Sequence, residues 1–261
     1  MTHIMRPGHL LGFNGCNWCC PTRKASGGNH CKVWSTRLSL SGDLHLKSLK
    51  TRFLSDQIAL AKRADKVYPV PGPWINGGVI KSLANMAAGT KPPGSLDCED
   101  NDGLAISLPA AIAPNSQEGL PLQVANLLTT CSTAVRHLPL QLQILTNHLE
   151  GVEKPVQAAL AKMKDSLPEE VAGGEEVVAC VEGGASVAEA VAKFGKACGL
   201  PGSFQGSLAT LLECDNFVTA VRKNILAGGD CNARALLIGS CLGARLGVEG
   251  IPMEWIEKVL H

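Results

Sequence analysis

The sequence is poor in aromatic residues, which make up 4% of its 261 residues although 45% of them are hydrophobic. β-Sandwiches and barrels depend on strands rich in aromatic and β-branched side chains, so this composition argues against them. The hydrophobic content is sufficient for a core, and frequent Ala and Gly suit closely packed helices. We therefore expect an all-α fold, organised as a single globular multi-helix domain.

The sequence also lacks a charge excess, because 24 basic residues face 23 acidic ones and the net charge is +1. Such a balance creates no field that would attract nucleic acid or a membrane surface. No run approaches the roughly 18 apolar residues of a membrane span, and no P-loop, dinucleotide fingerprint or Gly-x-Ser-x-Gly elbow is present. We expect a soluble protein with no nucleic-acid or membrane partner.

The eleven cysteines do not form an obvious disulfide framework, because their number is odd and those from Cys98 onward are scattered singly. This pattern favours reduced thiols and a cytoplasmic location. Near the N-terminus, Cys16, Cys19, Cys20 and the pair His30–Cys31 lie close in sequence. A C-x2-C pair followed by His or Cys can begin a zinc site, but the second half is irregular, so free thiols are favoured.

Residues 1–42 contain no acidic side chain, but they carry five basic ones. An acid-free, basic, Ser-containing start is typical of a transit peptide, which would give an organellar location. The preferred interpretation is that residues 1–65 form a divergent, largely unstructured extension. The helical domain would then cover residues 66–261.

From Asp102 onward the apolar residues recur at helical spacing. Pro109 and Pro139 are expected to end or bend the helices that contain them, whereas Pro155 and Pro168 suit helix starts. Further helices are predicted over residues 155–164, 168–182, 186–198, 203–212, 215–226, 230–247 and 252–260.

The stretch LAGGDCNARALLIGSCLGARLGVEGIP, residues 226–252, is the most specific feature. Asp230 stands at the start of a helix rich in small residues, where an aspartate can cap the helix or bind a metal ion. Composition alone favours the cap, because Asp is among the commonest N-cap residues.

Together, GGDCNA and GVEGIPMEW resemble the C-terminal signature of the ADP-ribosylglycohydrolase family, where GGDTDT opens a small-residue helix. GPWINGGVIKSL, DCEDNDGLAISLPAAIA and LLTTCSTAVRHLPLQLQIL resemble its branch related to the J1 crystallins of jellyfish lenses. The resemblance covers roughly residues 66–258. It implies an all-α globule whose central cleft holds two magnesium ions, which position ADP-ribose and a water for hydrolysis of the link to a modified side chain.

The resemblance also implies site residues. Asp230 and Asn232 occupy the metal-ligand positions of GGDTDT, and Gly228 and Gly229 precede them as ligand-binding residues. NDGLAISLP occupies the place of a cleft motif, which suggests Asn101, Asp102 and Gly103 as further ligand-binding residues. ADP-ribose or an ADP-ribosylated protein is the implied partner.

The sequence departs from the family pattern at the metal site. Asn232 replaces a second Asp, and a neutral amide binds magnesium less well than a carboxylate. The early Asp-Asp-Thr motif is expected before GPWINGG, where the chain has its divergent extension, so the domain is expected to be incomplete on its N-terminal side. The sequence thus predicts a hydrolase-like protein with weak or no activity, a pseudoenzyme.

Three readings stay open beside this one. The protein could be a crystallin-like structural protein, a binder of ADP-ribose-type ligands, or a hydrolase that takes its missing ligands from DCEDNDG or from an N-terminal segment absent in this chain. Arg234, four residues after Asp230, is hypothesised to pair with its carboxylate. Self-association is expected if an incomplete domain leaves apolar surface uncovered.

Overall fold

The computed structural model describes residues 76–113 and 117–260. The expected extension over residues 1–65, the transit-peptide alternative and the cysteine-rich N-terminal motif lie outside these residues. The seven described cysteines form no disulfide bond with one another.

The described residues form α-helices and no β-strand, so the expected all-α fold is confirmed. Ser95 and Thr129 form an isolated parallel bridge. None of the described helices combines the length and the apolar character needed to cross a membrane. In chain order the helices are α1 (Gly77–Ala87), α2 (Asp102–Ile112), α3 (Leu120–Ala125), α4 (Ser132–Leu149), α5 (Pro155–Met163), α6 (Pro168–Glu182), α7 (Val187–Phe194), α8 (Gly202–Glu213), α9 (Phe217–Leu226), α10 (Cys231–Leu246) and α11 (Met253–Leu260), with a 3-10 turn at Val248–Gly250.

The helix starts follow local sequence chemistry. Pro155 and Pro168 are the first residues of α5 and α6, where a missing N–H costs no helical hydrogen bond. Ser186 and Glu189 form a capping box at α7, and the Asn216 side chain accepts from the Thr219 N–H at α9. These caps fix the starts of the helices that lead to the Gly-Gly-Asp turn.

The described chain divides into two compact units, with the boundary inside α4 after Val135. The described part of the first unit consists of residues 76–113 and 117–135. There α2 packs against α3, and Gly94 and Ser95 donate backbone hydrogen bonds to the carbonyls of Asn126 and Leu128. The segment before α2 is thereby fixed to the segment after α3.

The described part of the second unit consists of residues 136–260, and α8 is its central helix. α8 packs against α5, α6, α7, α9 and α10. All residues from Ser203 to Leu211 are buried, so several faces of α8 are covered by neighbouring helices. α10 packs against α8 and α9, which positions the turn between α9 and α10.

The two prolines that were expected to end or bend their helices lie within them. Pro109 lies inside α2 and Pro139 inside α4, and neither ends its helix. The helical stretch that contains Pro139 is interrupted earlier, between α3 and α4, at residues 126–131. Leu138 and Leu140 on either side of Pro139 are 3% and 0% exposed. Burial of these side chains offsets the hydrogen bond that the proline removes.

Candidate functional sites at two helix starts

The Gly-Gly-Asp turn connects α9 to α10 through two glycines with left-handed backbone, Gly228 at φ 73° and Gly229 at φ 67°. A Cβ at Gly229 would overlap the carbonyl oxygen of Lys196. That same oxygen accepts a hydrogen bond from the Asp230 N–H at 2.7 Å. Gly229 is therefore required for the close approach that anchors the turn to the chain at Lys196, and the left-handed backbone favours glycine at both positions.

Asp230 is the N-cap of α10. Its Oδ1 accepts hydrogen bonds from the backbone N–H groups of Asn232 and Ala233, each at 3.1 Å. These are two of the N–H groups that have no partner within the helix at its start. Asp230 and Asn232 are both half-buried. The cap expected from composition is present, and it engages one of the two oxygens that a metal ion could use.

Arg234 does not form the expected pair with Asp230. Its Nε donates to Asn224 Oδ1 at 2.7 Å, and its Nη2 donates to the carbonyl oxygens of Asn224 at 3.2 Å and Gly228 at 2.5 Å. None of the ion pairs among the described residues includes Arg234. The hypothesis of a direct ion pair was therefore wrong, because the guanidinium is held by the end of α9.

Burial dominates the electrostatics of Arg234, whose exposed fraction is 0%. Burial lowers the pKa of its guanidinium, while electrostatic interactions with Cys231 and Asp230 act to raise that pKa. Arginine stays protonated in proteins in spite of such shifts. A buried positive charge is therefore a fixed part of this region, and its Nη1 has no hydrogen-bond partner.

Sequence reasoning did not identify Asn224 and Gly206 as neighbours of Arg234. Asn224 Nδ2 donates to the Cys231 carbonyl at 2.9 Å, so this amide contacts both Arg234 and the start of α10. A Cβ at Gly206 on α8 would lie 2.6 Å from Arg234 Cδ. Neither residue carries a motif that could have revealed these contacts, since both depend on how the helices pack.

The second candidate site lies at the start of α2, in the first unit. Ligand atoms of Cys98, Asp100 and Asp102 all lie within 4.8 Å of one another. Asp100 Oδ2 also accepts from Asn76 Nδ2 at 2.8 Å, which links the loop to the N-cap residue of α1. The sequence identified these acids as possible cation ligands, but it did not identify the thiol among them.

The Cys98 thiol is 3% exposed, and burial raises its pKa to about 11. The Asp100 N–H acts to lower this pKa, and the charges of Asp102 and Asp100 raise it. The thiol is thus protonated at neutral pH, and binding a metal ion would require it to release this proton. The residues expected to line a cleft lie here: Asn101 and Gly103 are buried and Asp102 is half-buried, and a Cβ at Gly103 would lie 2.8 Å from Thr129 Cγ2.

Arg136 and His137, near the start of α4, contact residues of two other helices. Arg136 holds the buried carboxylate of Glu170 through Nε–Oε1 at 2.6 Å and Nη2–Oε2 at 3.1 Å. Burial acts to raise the pKa of Glu170, but the hydrogen bonds and charge of Arg136 outweigh it and the pKa is lowered. His137 is buried and packs edge-on against Phe204, with 5.4 Å between ring centroids.

Comparison with known proteins gives a consistent result. A family model described as ADP-ribosylglycohydrolase matches residues 45–261, beginning ahead of the residue 66 that the motifs indicated. Crystallin J1A of Tripedalia cystophora is 29% identical over 194 residues, covering 73% of this chain and 59% of that protein. Crystallin J1B of the same organism is 26% identical over 196 residues, covering 74% and 60%. The chain thus spans about three fifths of the length of these curated relatives.

Proposed function

The chain belongs to the ADP-ribosylglycohydrolase family, and from this premise we propose that it is a member with weak or absent magnesium-dependent hydrolysis. The observation that carries the proposal is the use of Asp230 as a helix cap, with Oδ1 accepting two backbone hydrogen bonds. Magnesium requires hard oxygen ligands in near-octahedral geometry, usually with one or two carboxylates. At this turn the chain offers one carboxylate, already engaged, and the neutral amide of Asn232.

The charge around the turn also disfavours a metal ion. Arg234 is fully buried four residues after Asp230, and the Asp230 charge acts to raise the pKa of its guanidinium. A divalent cation bound by Asp230 would be repelled by the guanidinium, because burial of Arg234 limits the screening of its charge by solvent. The residues of this turn therefore do not fit the magnesium ions that the family resemblance implies, and we derive no hydrolytic step through them.

An assay of ADP-ribose release tests this proposal. A peptide ADP-ribosylated on Arg or Ser is incubated with the intact protein and Mg²⁺, with Asp230→Ala as the control. We expect release at the rate seen in buffer or only slightly above it, and the same rate for the control. Magnesium-dependent release that Asp230→Ala abolishes would contradict the proposal.

The group of Cys98, Asp100 and Asp102 favours a second candidate, a hydrolase that takes its metal ligands from the start of α2. The proximity of these three side chains supports it, while the raised pKa of Cys98 weakens it. The same release assay separates the candidates. Activity that Asp100→Asn removes and Asp230→Ala leaves intact would favour the second candidate.

A role without catalysis completes the proposal. Two relatives carry the name crystallin, which supports a structural use of the fold, and the family supports ADP-ribose or an ADP-ribosylated protein as partner. Titration of free ADP-ribose without metal distinguishes these roles. Saturable binding supports the ligand-binding role, and its absence supports the structural one. Self-association and a cytoplasmic location stay predictions, which light scattering and cell imaging can test.

A further inference from the structure

Arg234 is a buried arginine that no acid of the described residues neutralises by direct contact. Its exposed fraction is 0%, and it takes part in none of the ion pairs among the described residues. Removing a charge from water without an opposite charge is strongly unfavourable. Other groups must therefore stabilise the guanidinium.

The groups that stabilise it lie at the C-terminal end of α9. Arg234 Nη2 donates to the carbonyl oxygens of Asn224 and Gly228, and Nε donates to Asn224 Oδ1. The last carbonyls of a helix have no partner within it and carry the negative end of the helix dipole. A cation fixed there satisfies these oxygens and fastens the end of α9 to α10.

The surrounding chain leaves room for the arginine. Gly206 has no side chain where a Cβ would lie 2.6 Å from Arg234 Cδ. Ser207 Oγ on the same helix donates to the Arg234 carbonyl at 3.2 Å, and Asn224 Nδ2 donates to the Cys231 carbonyl. Three helices thus converge on this residue, and Gly228, which accepts from it, is the first glycine of the Gly-Gly-Asp turn.

We propose that Arg234 is a resident cation that takes the structural place of a metal ion at the Gly-Gly-Asp turn. It holds the end of α9 to the start of α10, and its charge opposes a second cation at Asp230. This inference rests on the proposed loss of magnesium at the same turn. It adds that Arg234, and not Asn232 alone, prevents magnesium from binding.

Two substitutions test this inference in the full-length protein. Asn232→Asp restores a second carboxylate, and Arg234→Gln removes the buried charge while keeping an amide donor. Melting temperatures are measured in EDTA and in about 10 mM MgCl2. The matched control is Asn232→Asp with Arg245→Gln, which removes an exposed arginine of α10 and has the same net charge as the double variant.

For the wild type, for Asn232→Asp and for the matched control, we expect Mg²⁺ to leave the melting temperature of each protein as it is in EDTA. Asn232→Asp/Arg234→Gln is expected to melt about 10 °C lower than the wild type in EDTA and to recover roughly 4 °C with Mg²⁺. If this double variant is unfolded in EDTA, circular dichroism follows its recovery during Mg²⁺ addition. Recovery supports the inference, and a variant that stays unfolded overturns it.

Three further results are decisive. If Asn232→Asp alone gains as much from Mg²⁺ as the double variant, Arg234 does not oppose the metal and the inference fails, although the proposed function stands. If the double variant is folded and gains nothing, the inference also fails. If the wild type itself gains stability from Mg²⁺ and Asp230→Ala does not, the proposed function fails, and the inference that rests on it fails too.

Discussion

The starts of α10 and α2 both place aspartates beside a helix N-terminus, yet the two regions use them differently. At α10, Asp230 caps the helix directly and a buried arginine lies nearby. At α2, the N-cap residue Asn101 makes no side-chain capping bond, and Asp100 and Asp102 gather around a buried thiol. An acidic motif therefore does not by itself indicate a metal site, because the partners of each carboxylate decide its chemistry.

The largest predicted effect concerns Arg234, at the start of α10. Arg234→Ala leaves Asn224 and Gly228 without their donor and creates a cavity, so we expect the free energy of unfolding to fall by about 3–5 kcal/mol. Asp102→Asn at the start of α2 should cost only about 0.3–1 kcal/mol, as expected for a charge at a helix start. Urea denaturation of both variants measures the difference. Equal losses would remove the contrast between the two regions.

A smaller effect is expected where α8 makes room for Arg234. Gly206→Ala places a methyl group 2.6 Å from Arg234 Cδ, and such overpacking costs about 1–3 kcal/mol. Gly243→Ala in α10 is the matched control, because a Cβ there has nothing within 4 Å. We expect the control to be neutral or stabilising by about 0.5 kcal/mol. Thermal melts that rank the two variants the other way would show that Gly206 is not needed for Arg234.

The cap of α10 provides the next test. Asp230→Ala should lower the free energy of unfolding by about 1 kcal/mol, because it removes the acceptor for two N–H groups. Asp230→Asn keeps an oxygen at that place and should stay within about 0.5 kcal/mol of the wild type. Chemical denaturation without metal and with Mg²⁺ measures both. If Asp230→Asn lowers the free energy of unfolding as much as Asp230→Ala does, and does so only in Mg²⁺, then Asp230 is a metal ligand.

The last predicted effect is a pH dependence at the start of α2, which is absent at neutral pH. Burial raises the pKa of Cys98 from 9.0 to about 11, so between these values the folded chain holds a proton that the unfolded chain has lost. The free energy of unfolding should therefore fall as pH rises through this window, and less steeply in Cys98→Ala. Denaturation between pH 8 and 11 tests it, and parallel curves for the two proteins would contradict it. Zinc bound as a thiolate complex would instead stabilise the fold in this window.

Much of the fold was predictable because its signals are local. The helix predicted over residues 168–182 is found at Pro168–Glu182, and the one predicted from residue 230 begins at Cys231 with Asp230 as cap. Proline at a first turn and a small polar cap act within a few residues, so one sequence suffices to find them. α1 was not predicted, although Asn76 caps it, because two glycines at its start mask the helical pattern.

The candidate sites were less predictable, because their partners are distant in sequence. The pairing of Arg234 with Asp230 was expected from helical spacing, but tertiary packing turned the guanidinium toward Asn224. The place of Cys98 beside two aspartates depends on how the loop before α2 folds. Spacing along one helix is a weak guide when a buried cation can reach the end of another helix.

The most direct test is calorimetric titration of Mg²⁺ into the intact protein and, in parallel, into Asp230→Ala. It tests whether Arg234 takes the structural place of a metal ion at the turn. The account predicts no saturable heat at the Gly-Gly-Asp turn, so the two titrations should be identical. Saturable binding by the wild-type protein that Asp230→Ala abolishes would contradict it.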